Sequence, residues 1–180
     1  AAAVTQLSSY VYNYGGVYLD KGKAVFDSKE AVEAIRFYGR RLKNYGPAGV
    51  TNMSWENIMP LSQSGKAARR ADASVFYGQI VDPAKSQIPA ENVGIANFPA
   101  GPQGNTPFIV VSLGMAVAKQ SKNKALAMDF IEWATSQSLA KRGMLANITM
   151  ARNSVWQDPE IRAKINPGLI KTQEYAAKYG

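Results

Sequence analysis

The stretch from Asp27 to Tyr77 constrains the fold of this chain more than any other, because it joins two well-marked helices through a Gly/Pro break. Asp27 stands three residues before Glu30, a capping-box spacing, and Ala31, Ile35, Tyr38 and Leu42 then recur on one helical face. After the break at residues 45–49, Ser54 is placed to cap a second helix through Trp55, Ile58, Met59 and Leu61. Gly65 is placed to end it, and Pro60 in its interior costs it regularity. Residues 66–72 read as a strand and 73–81 as a short helix that starts beside Asp72.

The rest of the chain continues this alternation. Residues 4–16 form a helix that ends at Gly15 and Gly16, and a brief strand follows at 24–26. VGIANF (93–98) and FIVVSLGMAVA (108–118) read as strands on either side of a turn-rich PAGPQGNTP. Residues 122–142 form one helical stretch, with Leu126, Phe130 and Trp133 at spacings of four and three. The tail adds two short helices split at Pro167. Helices alternating with short strands predict an α/β domain, and 46% apolar residues in a chain of 180 suffice for a core.

Composition removes several chemistries at once. With neither Cys nor His there is no thiol nucleophile, imidazole base, disulfide or ordinary zinc site. No cofactor is implied. No two carboxylates stand at a spacing that singles them out as a catalytic pair, so an enzyme is the weakest reading. A net charge of +8 raises nucleic acid as a partner, but the Lys and Arg residues are thinly spread and no recognition motif accompanies them. No apolar run reaches the roughly 18 residues of a membrane span, so the reading is a soluble chain without membrane insertion, any export signal lying outside it.

One order of motifs is more specific than any of its parts. GG-x-LD-x-GK, the capped helix, WENI, SGKAA, NVGIANFP and GMAVAKQSKNKALAMDFI follow one another as they do in the extracellular solute-binding proteins of bacterial ABC transporters, and the chain resembles the sugar and polyol group of that family. The resemblance implies one lobe of a two-lobed clamp, a mixed sheet flanked by helices, with the ligand held between lobes that close about a hinge. It implies further that residues 1–112 and 151–180 belong to the second lobe, that 113–150 cross to the first, and that the first-lobe segment is missing. The crossing helix would then expose its apolar face, with dimerisation by exchange as one remedy. A periplasmic or extracytoplasmic location and a membrane permease as partner come with the family.

Sugar clefts stack aromatic faces on C–H surfaces and bond paired hydroxyls with planar polar groups. Tyr10, Tyr12, Trp55 and Tyr77 are candidate faces; Asn13, Arg70 and Asp72 are candidate polar contacts, and the resemblance adds Leu113 and Gly114, at and beside the position where family members often carry a tryptophan before GMAV. Ordinary packing competes with every aromatic assignment, and a helix cap competes with ligand contact at Asp72. The chain departs from the family pattern at Ser62, Arg69 and Leu113. Arg69 and Arg70, adjacent on a strand, would point to opposite faces, so one must find a carboxylate, water or an open cleft. Two function classes therefore remain beside the enzyme. One is a binding component that captures a sugar or polyol without covalent chemistry; the other is an engineered or truncated fragment that keeps the fold and has lost the ligand.

Overall fold

The structure is a computed structural model describing residues 2–104, 110, 111 and 113–179. It is mostly helical: α1 (Ala2–Asn13), α2 (Lys29–Tyr45), α3 (Trp55–Gln63), α4 (Tyr77–Ile80), α5 (Lys124–Ala134), α6 (Gln137–Leu145), α7 (Asn153–Trp156), α8 (Pro159–Lys164) and α9 (Pro167–Tyr179). Two strands, β1 (Leu19–Asp20) and β2 (Lys23–Ala24), pair antiparallel across a tight turn. Residues 50–52, 74–76 and 90–92 are single 3₁₀ turns.

Glycine sets two of the helix ends. After α1, Gly15 takes φ 86°, Gly16 N–H donates to Val11 O at 2.9 Å, and Gly15 N–H donates to Tyr12 O at 2.9 Å. After α3, Gly65 takes φ 73° and Lys66 N–H donates to Leu61 O at 3.0 Å. Both ends are closed by a left-handed residue that a side chain would strain. At the start of α2 the cap is one residue later than the spacing predicts: Ser28 Oγ accepts from Ala31 N–H at 3.3 Å, and the helix begins at Lys29. A serine hydroxyl directly before the helix serves the orphan amide as well as a carboxylate would.

Two apolar clusters hold the chain together. In the first, Tyr10 and Val11 of α1 lie on Ala31 and Ala34 of α2, whose small side chains let the helices approach closely. In the second, Tyr77 and Val81 meet Ala140 and Met144 of α6, Val155 of α7, Ile161 and Ile165 around α8, and Leu169 and Ile170 of α9.

The expected mixed sheet is not present among the described residues, where the β1–β2 hairpin is the whole of the regular sheet. Residues 66–72 and 93–98 run without strand pairing. Their polar backbone groups meet side chains instead: Gln6 Nε2 of α1 donates to Ala71 O at 2.8 Å, and Asn166 Nδ2, in the link between α8 and α9, to Val93 O at 3.2 Å. A strand exists only through a neighbour, and these segments have helices as neighbours. Of the 108–118 strand, residues 108, 109 and 112 lie outside the described residues, and the remainder is irregular. The strand expected at 24–26 is realised only at Ala24.

The long helix expected over 122–142 is two helices. Thr135 Oγ1 bonds back to Ile131 O at 2.8 Å, and Ser136 Oγ accepts from Leu139 N–H at 3.3 Å to start α6 afresh. Hydroxyl side chains offer the backbone these local alternatives to a continuous helix. The break matters for packing, because α6 is buried in the second cluster whereas α5 has no buried residue among those described. Leu126, Phe130 and Trp133 of α5 are 69, 56 and 58% exposed, beside a groove of about 480 Å³ lined by Met115, Leu126, Phe130 and Ile131.

Candidate functional site

The structure distributes the nine candidate residues among three settings. Tyr10 and Asn13 are interior. Tyr10 packs edge-on against Phe98 at 4.9 Å between ring centres, with Tyr38 at 5.1 Å, and its hydroxyl accepts from Arg41 Nη1. Burial pushes the Tyr10 phenol above its ordinary pKa, against the opposing pull of the Arg41 charge. Asn13 donates from Nδ2 to Ser9 O at 2.7 Å and accepts from Gly101 N–H at 3.3 Å, pinning the 101–104 turn to the end of α1. A side chain at Gly101 would collide with the Asn13 backbone, so that approach requires glycine. Tyr12 is half-buried and meets Tyr18 edge-on at 5.9 Å. Tyr77 belongs to the second apolar cluster.

Leu113 and Gly114 stand apart from these. Leu113 is 92% exposed, and a Cβ at Gly114 would meet nothing within 4 Å. They belong to the irregular run that leads to α5.

The third setting brings Trp55, Arg70 and Asp72 together. Trp55 opens α3, and the ring of Phe76 stacks on it at 5.0 Å between centres and 24° between planes. The guanidinium of Arg70 lies over the same Phe76 ring at 5.1 Å, a cation–π distance. Arg70 Nε donates to Asp72 Oδ2 at 2.9 Å, Nη2 donates to the same oxygen, and Nη1 points at the Met59 sulfur at 3.3 Å. Asp72 Oδ1 accepts from Ala73 N–H at 2.8 Å, just ahead of the 3₁₀ turn that carries Phe76. The carboxylate thus neutralises the Arg70 cation and accepts the Ala73 amide, but it does not cap the turn, whose N-cap position is Ala73.

The adjacent arginines divide as expected, although on an irregular segment rather than a strand. Arg69 is exposed, whereas the Arg70 side chain is 9% exposed and the Asp72 side chain 19%. Ser62, another departure from the family pattern, is 8% exposed and bonds back to Ile58 O at 3.3 Å. Trp55 keeps 40% of its surface in solvent.

Helix and tail contacts seat this cluster. Gln6 of α1 holds Ala71, Thr149 Oγ1 donates to Ser74 O at 3.3 Å, and Gln173 Nε2 of α9 donates to Ser74 Oγ at 3.1 Å. Sequence reasoning missed Phe76 and Met59 as members. Phe76 precedes Tyr77 in an aromatic pair, and only one of the two can face the core. Among the described residues no group of three or more carboxylates could hold a metal, and no helix is long and apolar enough to cross a membrane.

A part-exposed aromatic ring beside a charge-paired polar strip is suited to non-covalent contact with a small ligand. The profile of bacterial extracellular solute-binding proteins matches residues 2–141, and the chain belongs to that family. Over 116 residues it is 33% identical to a mannitol-binding protein of Pseudomonas aeruginosa, covering 64% of this chain and 26% of that protein. Over 126 residues it is 31% identical to an erythritol/L-threitol-binding protein of Mycolicibacterium smegmatis, covering 69% of this chain and 26% of the other.

Among solved structures, an ABC transporter solute-binding protein of Agrobacterium radiobacter in complex with ribitol superposes with a TM-score of 0.84 at 28% identity. The match covers 99% of this chain and 45% of that one. A solute-binding protein of Agrobacterium vitis with bound D-mannitol gives a TM-score of 0.81 at 25% identity, covering 98% and 43%. The chain therefore spans about a quarter of these curated relatives and less than half of the solved chains. The binding-protein fold expected from the motif order is the fold found, and the family is one of binding proteins, not enzymes. Nothing in these comparisons supports an exchanged dimer.

Proposed function

We propose that this chain contributes to the capture of an uncharged polyol or sugar for an ABC transporter permease outside the cytoplasmic membrane, with Trp55, Arg70 and Asp72 as ligand-facing groups on a lobe it supplies. The observation that carries this reading is the convergence of the half-exposed Trp55 ring with the Arg70–Asp72 pair through Phe76. An aromatic face takes the C–H side of a polyol, and a carboxylate beside a guanidinium takes its hydroxyls. Mannitol, erythritol, L-threitol and ribitol, the compounds named for the relatives, are of this kind.

The packing supports a division of the chain to go with this reading. Residues 113–135, with the solvent-facing α5, form the segment that crosses to the other lobe, and α6 stays with α7–α9, because Ala140 and Met144 are buried among them. This moves the boundary from residue 150 to the Thr135–Ser136 break. The alternative, a fragment that keeps the fold without the ligand, is favoured by the nearly bare Leu113.

Isothermal titration with a panel of polyols and sugars, on this chain alone and with a first-lobe segment supplied, tests the proposal. Binding by at least one polyol, weakened roughly tenfold by Trp55→Ala, is the expected result. Absence of heat in both formats would leave only the alternative.

A further inference from the structure

Resting on that reading, we infer that the Arg70–Asp72 pair is a charge filter: Asp72 determines that the site accepts neutral polyhydroxy compounds and turns away the corresponding acids. The argument is an inventory of donors and acceptors. Asp72 Oδ2 receives two N–H groups of Arg70, and Oδ1 receives Ala73 N–H. A carboxylate has about four acceptor positions, so one remains on Oδ1. A guanidinium has five N–H groups; two go to Asp72 and one faces the Met59 sulfur, so two remain.

What is left is one acceptor beside two donors, with no net charge between them. A hydroxyl both donates and accepts, and it matches both halves. A carboxylate or phosphate only accepts, and it would meet the remaining Asp72 lone pair as a repulsive neighbour. At 9 and 19% side-chain exposure the pair is partly shielded, so solvent masks that repulsion incompletely. Arg69, the adjacent cation, is exposed and offers an anion no comparable shelter. Asp72 thus withholds a guanidinium that would otherwise form an anion site against Phe76.

The test compares D-mannitol with D-mannonate, the same carbon chain ending in a carboxylate, by the shift of the Trp55 indole N–H resonance in this chain. Trp55→Phe assigns that signal among the three tryptophans. Asp72→Asn is expected to raise mannonate affinity relative to mannitol by roughly tenfold or more, and Arg70→Met to lower it further below wild type. Circular dichroism establishes that each variant is folded, and either variant alone tests the inference should the other fail to fold. An unchanged ratio in a folded variant overturns it. If mannitol leaves the wild-type signal unmoved while Asp72→Asn takes up mannonate, the exclusion of acids by Asp72 stands, and the acceptance of polyols falls together with the polyol reading.

Discussion

Replacing Gly78 by alanine sets two well-calibrated effects against each other. Gly78 lies inside α4, where alanine is favoured over glycine by about 1 kcal/mol on helix propensity alone. A Cβ at this position would overlap the Asn147 carbonyl oxygen and lie 3.1 Å from its carbon and 3.2 Å from its Cβ. The obstacle is largely backbone, and Asn147 already sits at φ 60°, so little can yield. Overpacking of this kind costs about 1–3 kcal/mol, and with rigid backbone opposite it the upper figure applies. Net destabilisation of about 2 kcal/mol remains after the propensity gain is subtracted. With a urea m-value of about 2 kcal/mol/M, the unfolding midpoint should fall by about 1 M at unchanged slope. Gly39 in α2 is the control, because a Cβ there meets nothing within 4 Å, and Gly39→Ala should stabilise by about 0.5–1 kcal/mol. Gly78→Ala with a midpoint at or above wild type would refute the close approach of α4 to the turn after α6, and with it the seating of Phe76 and Tyr77.

Ile161 has no exposed surface in the second cluster, and Ile161→Ala should cost about 2–5 kcal/mol in chemical denaturation. The Lys141 hydrogen bond holds the Asp158 carboxyl below its ordinary value of 3.8, and Lys164, then Lys141, hold Glu160 below 4.5. Depressed carboxylates stabilise the fold above those ordinary values and lose that contribution as pH falls through the lower, folded ones, so stability should decline from about pH 4 downward. Asp158→Asn, which can still cap α8, should show a smaller drop between urea midpoints at pH 7 and pH 3; an equal drop would remove the pair from the acid response. Phe130→Glu on the open face of α5 should change stability by less than about 1 kcal/mol, since it forfeits little beyond the ring contact with Trp133 at 5.7 Å.

Helix ends were the most legible part of the fold, because their physics is local. Gly15 and Gly65 close α1 and α3 by a conformation that only the residue itself has to supply. Strands were legible as composition and not as structure. VGIANF has the alternation of a strand, yet its backbone partner at Val93 is the amide of Asn166, more than seventy residues away. The site divides in the same manner. Two adjacent arginines forced one side chain inward, and the structure gives Arg70 the carboxylate it needed; which of Phe76 and Tyr77 would face Trp55 depends on the turn at 74–76, and nothing local fixes it. The YVYNY run was ambiguous for another reason: its tyrosines fall on different faces of α1, so Tyr10 goes to the core while Tyr12 stays half-buried.

The contrast between α5 and α6 sharpens what the family pattern means for this chain. Both helices derive from one apolar stretch, and a helix reading of 122–142 treats their faces as a single stripe. The Thr135–Ser136 break lets α6 bury Ala140 and Met144 while α5 carries Leu126, Phe130 and Trp133 into solvent. Three large apolar side chains left outside a core that buries Ile161 and Val155 completely are not explained by the stability of this lobe. They are explained if α5 serves the other half of a clamp, which also accounts for an irregular 113–118 run ahead of it: such a run acquires ladder partners only where another strand lies alongside. By that reasoning the proposed ligand contacts of Trp55, Arg70 and Asp72 stand on this lobe, where the part-exposed Trp55 ring leaves an aromatic face for a ligand.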